Sequence, residues 1–284
     1  MKIIKSAEKM QAISLVVKRR GKTIGLVPTM GYLHDGHLAL VKQAKKLSDL
    51  VVVSIFVNPT QFGPKEDFTR YPRDLQGDLA RLKPLKVEYV FFPSVKDIYP
   101  EGYQTGVEVE KLSKGLCGDY RPGHFRGVAT VVLKLFNIVQ PDLAIFGQKD
   151  YQQLMVISRM TRDLNLPIKI IGAPTLREKD GLAMSSRNTY LSAEEREPAL
   201  SLSRALFSAQ EKVKAGEKDA EALIKSAREL IAANSLARVE YIEIRDSENL
   251  DPVKTIDRPA QMILSVWVGK TRLIDNLRLN PQTK

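Results

Sequence analysis

Residues 50–58 read Leu-Val-Val-Val-Ser-Ile-Phe-Val-Asn, an apolar run rich in β-branched side chains. A strand with one face in water alternates apolar and polar residues. This run has no polar face, so it must be covered on both sides. Helices on both faces of a parallel sheet give that cover, and the neighbouring sequence supplies them. "KTIGLVPT" (22–29) is a short apolar run ending at Pro28, and "GHLALVKQAKKLSD" (36–49) spaces Leu38, Val41 and Leu47 near the helical period. "DLQGDLARLK" (74–83) has the character of a helix and "VEYVFFP" (87–93) that of a strand. "GVATVVLKLFNIVQ" (127–140) is long for a strand, and its length favours helix. "DLAIFG" (142–147), "YQQLMVISRMTRDL" (151–164) and "IKIIGAP" (168–174) complete a β-α-β series. The expected class is α/β: a Rossmann-like parallel sheet with helices on both faces.

Near residue 175 the character changes. Residues 192–235 are rich in Glu, Lys and Ala and open with a capping box, Ser192 to Glu195. Leu202, Leu206, Ala209 and Val213 mark one helical face, and Gly216 divides the stretch into two helices. "VEYIEIRD" (239–246) and "QMILSVWVG" (261–269) alternate as half-buried strands. Two domains follow: 1–174, Rossmann-like, and 175–284, a smaller α+β unit. Residues 175–191 are the expected joint, which would let the second domain act as a lid.

The totals narrow the function classes. The longest apolar stretch is far shorter than the roughly 20 residues that cross a bilayer, and Glu8 and Lys9 interrupt any leader-like run. Cys117 is the single cysteine, so an internal disulfide is excluded and a reducing, cytoplasmic setting expected. The formal charge of +11 invites a nucleic-acid reading. However, the basic residues are interleaved with acidic ones, and no nucleic-acid-binding signature occurs. Attraction of small anionic substrates is the functional use left for the excess.

Two of the three histidines, His34 and His37, lie in "VPTMGYLHDGHLAL" (27–40). Taken alone the pair is open to three readings: metal ligands, a catalytic pair, or ordinary residues of a polar turn. A metal site would need a third ligand, and the remaining histidine, His124, is distant in sequence. Position favours chemistry, because the pair lies where a strand gives way to a helix, the edge at which open α/β sheets bind ligands. Gly31 and Gly36 permit close backbone approach, and the helix start offers unpaired N–H groups to an anion. Familiar nucleotide motifs are absent: no G-x-G-x-x-G follows the first strand, and "GKT" (21–23) lacks the P-loop glycine, with Val16 in its place.

H-x-G-H after a first strand resembles the signature of the nucleotidyltransferase superfamily that includes the class I aminoacyl-tRNA synthetases. Those enzymes attack ATP at its α-phosphate and carry a basic, Ser-containing loop downstream, which "KDGLAMSSRN" (179–188) matches. "LVPTMGYLHDGH", "VVVSIFVNPTQF", "RYPR", "RPGHFRGVATVV", "LFNIVQPDLAIFGQKDYQQL" and "KDGLAMSSRN" together resemble the pantoate–β-alanine ligase family, from about residue 3 to "RLIDN" at 272–276. One departure is Gln148 in "GQKD", where Glu is as common.

The resemblance implies a ligase that joins pantoate to β-alanine through a pantoyl adenylate, consuming ATP with Mg²⁺ and acting as a homodimer. It makes His37, His34, Lys149 and Arg187 the catalytic, charge-stabilising groups. It places ATP against Met30, Gly31, Tyr32, Leu33, His34, Asp35, Gly36 and His37. On the downstream side ATP meets Gly147, Gln148, Lys149 and Asp150, then Leu176, Met184, Ser185, Ser186 and Arg187. Gln61 and Gln153 are the implied pantoate-binding amides, and Asp78 is implied to lie near the magnesium. No nucleic acid or membrane partner is expected. His124, in "CGDYRPGHFRGV" (117–128), is expected to belong to a loop that orders the helix starting near Gly127, and Cys117 to be structural.

Overall fold

The computed structural model describes residues 1–64 and 66–281. It divides into two compact units, one of Met1–Gln148 with Val156–Pro174, the other of Lys149–Met155 with the chain from Thr175 onward. The elements of the first unit run β1 (Lys2–Ile4), α1 (Ala7–Arg19), β2 (Ile24–Thr29), α2 (Asp35–Leu47), β3 (Leu50–Ile55), α3 (Leu75–Leu82) and β4 (Tyr89–Phe91). The short α4 (Val95–Ile98) and α5 (Cys117–Tyr120), then α6 (His124–Val139) and β5 (Leu143–Gly147), follow. α7 (Tyr151–Asp163) leads to β6 (Lys169–Ala173). The strands form one parallel sheet in the order β1-β4-β3-β2-β5-β6.

Burial explains why β3 lacks a polar face. Val51, Val53 and Ile55 join a core with Leu40, Val41 and Ala44 of α2. The alternate residues Val52 and Ser54 are equally sealed, so both sides of the strand are covered. At about 25 cal/mol per Å² of apolar surface, each such Val or Ile contributes on the order of 1.5–3 kcal/mol. The helix over 127–140 forms as its length predicts, and begins three residues earlier, at His124. The order reverses at β2: the chain moves outward to β3 and β4, then returns to add β5 on the other side of β2. The carboxyl ends of β2 and β5 are thus adjacent, which is the switch point where open sheets bind ligands.

The second unit contains α8 (Ala193–Lys214), α9 (Ala220–Ala232), β7 (Ala237–Asp246), β8 (Ala260–Val268) and β9 (Thr271–Leu279). Its strands form an antiparallel sheet in the order β7-β8-β9. Leu202, Leu206, Ala209 and Val213 lie in its core, with Leu223 and Ile231 of α9 and Ile244, Leu264 and Leu273 of the sheet. The capping box at Ser192 and Glu195 is present, and Gly216, at φ +104°, separates the helices. Among the described residues, no helix is long and apolar enough to cross a membrane.

Candidate active site

The loop from β2 into α2 is shaped by three residues. Thr29 Oγ1 accepts from Gly31 N at 3.2 Å. Gly31 adopts φ +83°, and a Cβ there would lie 2.9 Å from Asp78 Oδ2 and 3.0 Å from Ile55 Cγ2. Tyr32 follows at φ 52°. Both conformations belong to the left-handed region, which glycine adopts freely but which is costly for Tyr32 and favours an external hold there. Asp78 supplies it from α3: Oδ2 accepts from Tyr32 N at 3.0 Å and Oδ1 from Leu33 N at 2.6 Å. Asp78 is 2% exposed. Burial pushes its carboxyl above the usual range, with the Leu33 and Tyr32 amides pulling the other way.

This loop delivers both histidines to the start of α2. His34 is the N-cap residue, and its carbonyl accepts from Leu38 N at 3.1 Å. Its own N–H donates to His37 Nδ1 at 3.3 Å, and the two rings stack with centroids 4.0 Å apart. Because Nδ1 of His37 accepts, Nε2 carries the proton when the ring is neutral, and the ring presents a donor in either charge state. With the backbone N–H groups of the first helical turn, these rings form a cradle for an anion. Among the described residues there is no cluster of three or more His, Cys, Asp or Glu that could hold a metal ion.

Gln61 sits at the end of the Pro59–Gln61 turn after β3 and is 9% exposed. Its carboxamide oxygen accepts from Asn58 Nδ2 at 3.0 Å, and its Nε2 lies 3.3 Å from Met30 Sδ. The sulfur is a weak acceptor, so the amide N–H groups stay available to a stronger one, such as a carboxylate or hydroxyl. Arg121 and His124 grip the Gln61 carbonyl, at 3.2 Å from Nη2 and 2.8 Å from Nδ1. Arg121 Nη1 also lies 3.1 Å from His124 Nε2, and Arg121 Nε donates to Glu66 at 2.8 Å. A Cβ on Gly127 would lie 2.4 Å from Thr60 O, so only glycine lets α6 approach this turn. His124 thus holds the Gln61 turn, a contact the sequence did not indicate. Asn58, Arg121 and Gly127 join it. Their signal was their place inside "NPTQF" and "RPGHFRG".

Gly147 ends β5 with open space where a Cβ would stand, and Gln148 Nε2 donates weakly to Gly172 O at 3.5 Å. Both lie at the switch point, in the same unit as the histidines. The remaining expected residues belong to the second unit. There Lys149 Nζ stands 4.0 Å from Asp150 Oδ1, and Gln153 lies half-buried in the first turn of α7. Arg177 and Ala183 pair as an isolated bridge, and Met184 N donates to Leu176 O at 3.0 Å. Ser185 caps the turn Ser186–Tyr190, its hydroxyl accepting from Arg187 N at 3.3 Å. Asn188, unremarked in the sequence, holds this loop by donating to Ala183 O at 3.0 Å and Glu178 Oε1 at 2.6 Å.

A family model described as pantoate-beta-alanine ligase matches residues 2–278. A protein named pantothenate synthetase from Thermosipho africanus (strain TCF52B) is 56% identical over 277 residues, which span 98% of this chain and 99% of that protein. Its namesake from Sulfurihydrogenibium sp. (strain YO3AOP1) is 54% identical over 278 residues, 98% of this chain and 99% of that protein. Among solved structures, the pantothenate synthetase of Thermus thermophilus matches with a TM-score of 0.94 at 45% identity, covering 99% of this chain and 100% of that one. The pantoate-beta-alanine ligase of Francisella tularensis, complexed with beta-gamma ATP and beta-alanine, gives a TM-score of 0.80 at 37% identity, covering 98% of this chain and 97% of that one.

Proposed function

The chain belongs to the pantoate–β-alanine ligase family, and on that premise we propose how its residues carry the reaction. The activity is the ATP-dependent joining of pantoate to β-alanine in pantothenate synthesis. In the proposed first half, a carboxylate oxygen of pantoate attacks the α-phosphorus of ATP. The bond to the bridging oxygen breaks, and pyrophosphate leaves. In the second, the amine of β-alanine attacks the acyl carbon of pantoyl adenylate, AMP leaves, and the nitrogen loses a proton.

One observation carries this reading: the stacked His34 and His37 at the N-terminus of α2, on the switch point of a parallel sheet. Negative charge builds on the α-phosphoryl oxygens as the carboxylate approaches. A fixed N–H donor there stabilises the transition state more than the ground state. We assign that task to His37 Nε2, with His34 beside it. Lys149 and Arg187, with Ser185 and Ser186, are assigned to the phosphates, Asp150 to the ribose hydroxyls, and Gln61 and Gln153 to pantoate. A neutral amide suits a nucleophilic carboxylate, because it orients the anion without quenching its charge.

Magnesium enters this reading with the nucleotide. The carboxylate of Asp78 does not fit a cation ligand, since both its oxygens receive backbone N–H donors and burial favours its neutral form. No step is assigned to the ion through that residue. The enzyme is further proposed to be cytoplasmic, and a homodimer whose mass sedimentation would report.

Exchange of labelled pyrophosphate into ATP tests the assignment. It should require pantoate and proceed without β-alanine, and His37→Ala should lower it by about 100-fold or more while the chain stays folded. Exchange that runs without pantoate, or near-normal exchange in the variant, would sink the reading.

A further inference from the structure

The "RLIDN" segment (272–276) lies far from the nucleotide motifs in sequence and has no part in the reaction described above. It forms the middle of β9, where Asp275 and Asn276 are both buried, at 1% and 4% exposure. Two adjacent buried polar residues break the in-out alternation of a strand, and each such group demands a partner. Asp275 takes Arg177 in a two-point ion pair, Nη1 to Oδ2 at 2.6 Å and Nη2 to Oδ1 at 3.0 Å. Its Oδ1 also accepts from Asn276 N at 2.8 Å. Asn276 Oδ1 accepts from Gln261 Nε2 of β8 at 2.6 Å, which fixes the plane of its amide. The same amide then donates from Nδ2 to the backbone carbonyl of Lys149 at 2.7 Å.

We propose that Asn276 is a positioning residue for Lys149: its amide, oriented by Gln261, holds the carbonyl at the root of the lysine and so aims the ammonium at the nucleotide phosphates. Lysine has a flexible four-carbon stem, so an ammonium on an unrestrained backbone samples a wide volume. Lys149 stands in a single turn, Gln148–Asp150, between β5 and α7, and a turn that short does little to fix its own position. The anchor comes instead from two long antiparallel strands whose register is continuous from Ala260–Leu279 to Val268–Thr271. Chemistry dictates the residue type. Only a side chain that both accepts and donates can bridge Gln261 to a carbonyl, and a carboxylate there would set oxygen against oxygen. Asp275 serves the same strand differently. Burial pushes its carboxyl up, and Arg177, the Asn276 backbone N–H and Lys149 act against that.

This inference rests on Lys149 acting at the phosphates, and the test separates the two claims. Pantoate-dependent pyrophosphate exchange is measured for Asn276→Ala, Lys149→Ala and the double variant. Asn276→Ala alone should lose about 10- to 100-fold, the scale of misplacing a catalytic group by an ångström. In the Lys149→Ala background the same change should cost less than about twofold, because residues acting as one unit are non-additive. ATP affinity by titration calorimetry runs the same cycle where exchange falls below detection. If Asn276→Ala does not fold, Asn276→Asp keeps the shape, removes the donor and replaces it in the cycle. Equal losses in both backgrounds, or no loss from the Asn276 change while Lys149→Ala is impaired, would overturn the proposal. Normal exchange in Lys149→Ala would instead overturn the role given to the lysine.

Discussion

Asp78 shows how one buried side chain can shape a loop that lies far from it in the sequence. The two backbone N–H groups it accepts belong to Tyr32 and Leu33, immediately before His34. Tyr32 is held in the left-handed region, which costs a non-glycine residue about 1 kcal/mol or more. Asp78→Asn tests the point, because an amide offers one acceptor and turns its NH₂ toward a backbone N–H. The expected result is a several-fold rise in the KM for ATP, with a loss of about 1–3 kcal/mol in stability from the unsatisfied donor. Unchanged kinetics would show that the loop holds itself. From sequence, Asp78 was legible as a residue of interest through its family position, but its hold on Tyr32 and Leu33 was not. What it does depends on α3 crossing to a loop 46 residues earlier, a contact that no local pattern encodes. The placement of His34 and His37 at a helix start was legible because strand, glycine and helix start lie in one short stretch.

At the scale of elements, legibility follows regularity. α2 and α8 formed as their patterns predict because each has an apolar face that repeats at the helical period, and β3 because its apolar run is unbroken. β9 escaped notice because buried Asp275 and Asn276 spoil its alternation, and the same two residues tie it to Lys149 and Arg177. Alongside them, Glu240 on β7 accepts from Arg272 Nε at 2.8 Å and from Trp267 Nε1 at 2.9 Å, stitching all three strands. Burial alone would raise its carboxyl, but these partners outweigh it and the net direction is down. The sign of the linkage is then fixed. A carboxyl below its unfolded value of about 4.3 adds stability above that pH and loses it as pH falls through the folded value. Urea melts of the native chain and Glu240→Gln should therefore differ most near pH 7 and converge below about pH 4. A gap that is constant or widens toward acid would show that the pair contributes nothing through its charge.

Across the whole molecule, the α/β class and the change of character near residue 175 were legible because β-α-β alternation and composition extend over many residues. The strand order β1-β4-β3-β2-β5-β6 was not, since pairing between distant strands leaves no mark in local periodicity. That order matters most for function, because it brings the end of β2, with its histidines, next to the end of β5, with Gly147. The segment Lys149–Met155 groups with the second unit although only Gln148 separates it from the end of β5 at Gly147, and the Lys149 carbonyl is held by the C-terminal sheet. In the proposed reaction the histidines at the switch point hold the phosphates, and the pantoate carboxylate attacks the α-phosphorus. The central claim is thus an acyl adenylate, and oxygen transfer reports it directly. A turnover with pantoate labelled by ¹⁸O in both carboxylate oxygens should place one labelled atom in the phosphate of AMP and leave one in the amide of the product. Label in inorganic phosphate, with ADP as the other product, would show attack at the terminal phosphorus and contradict the account.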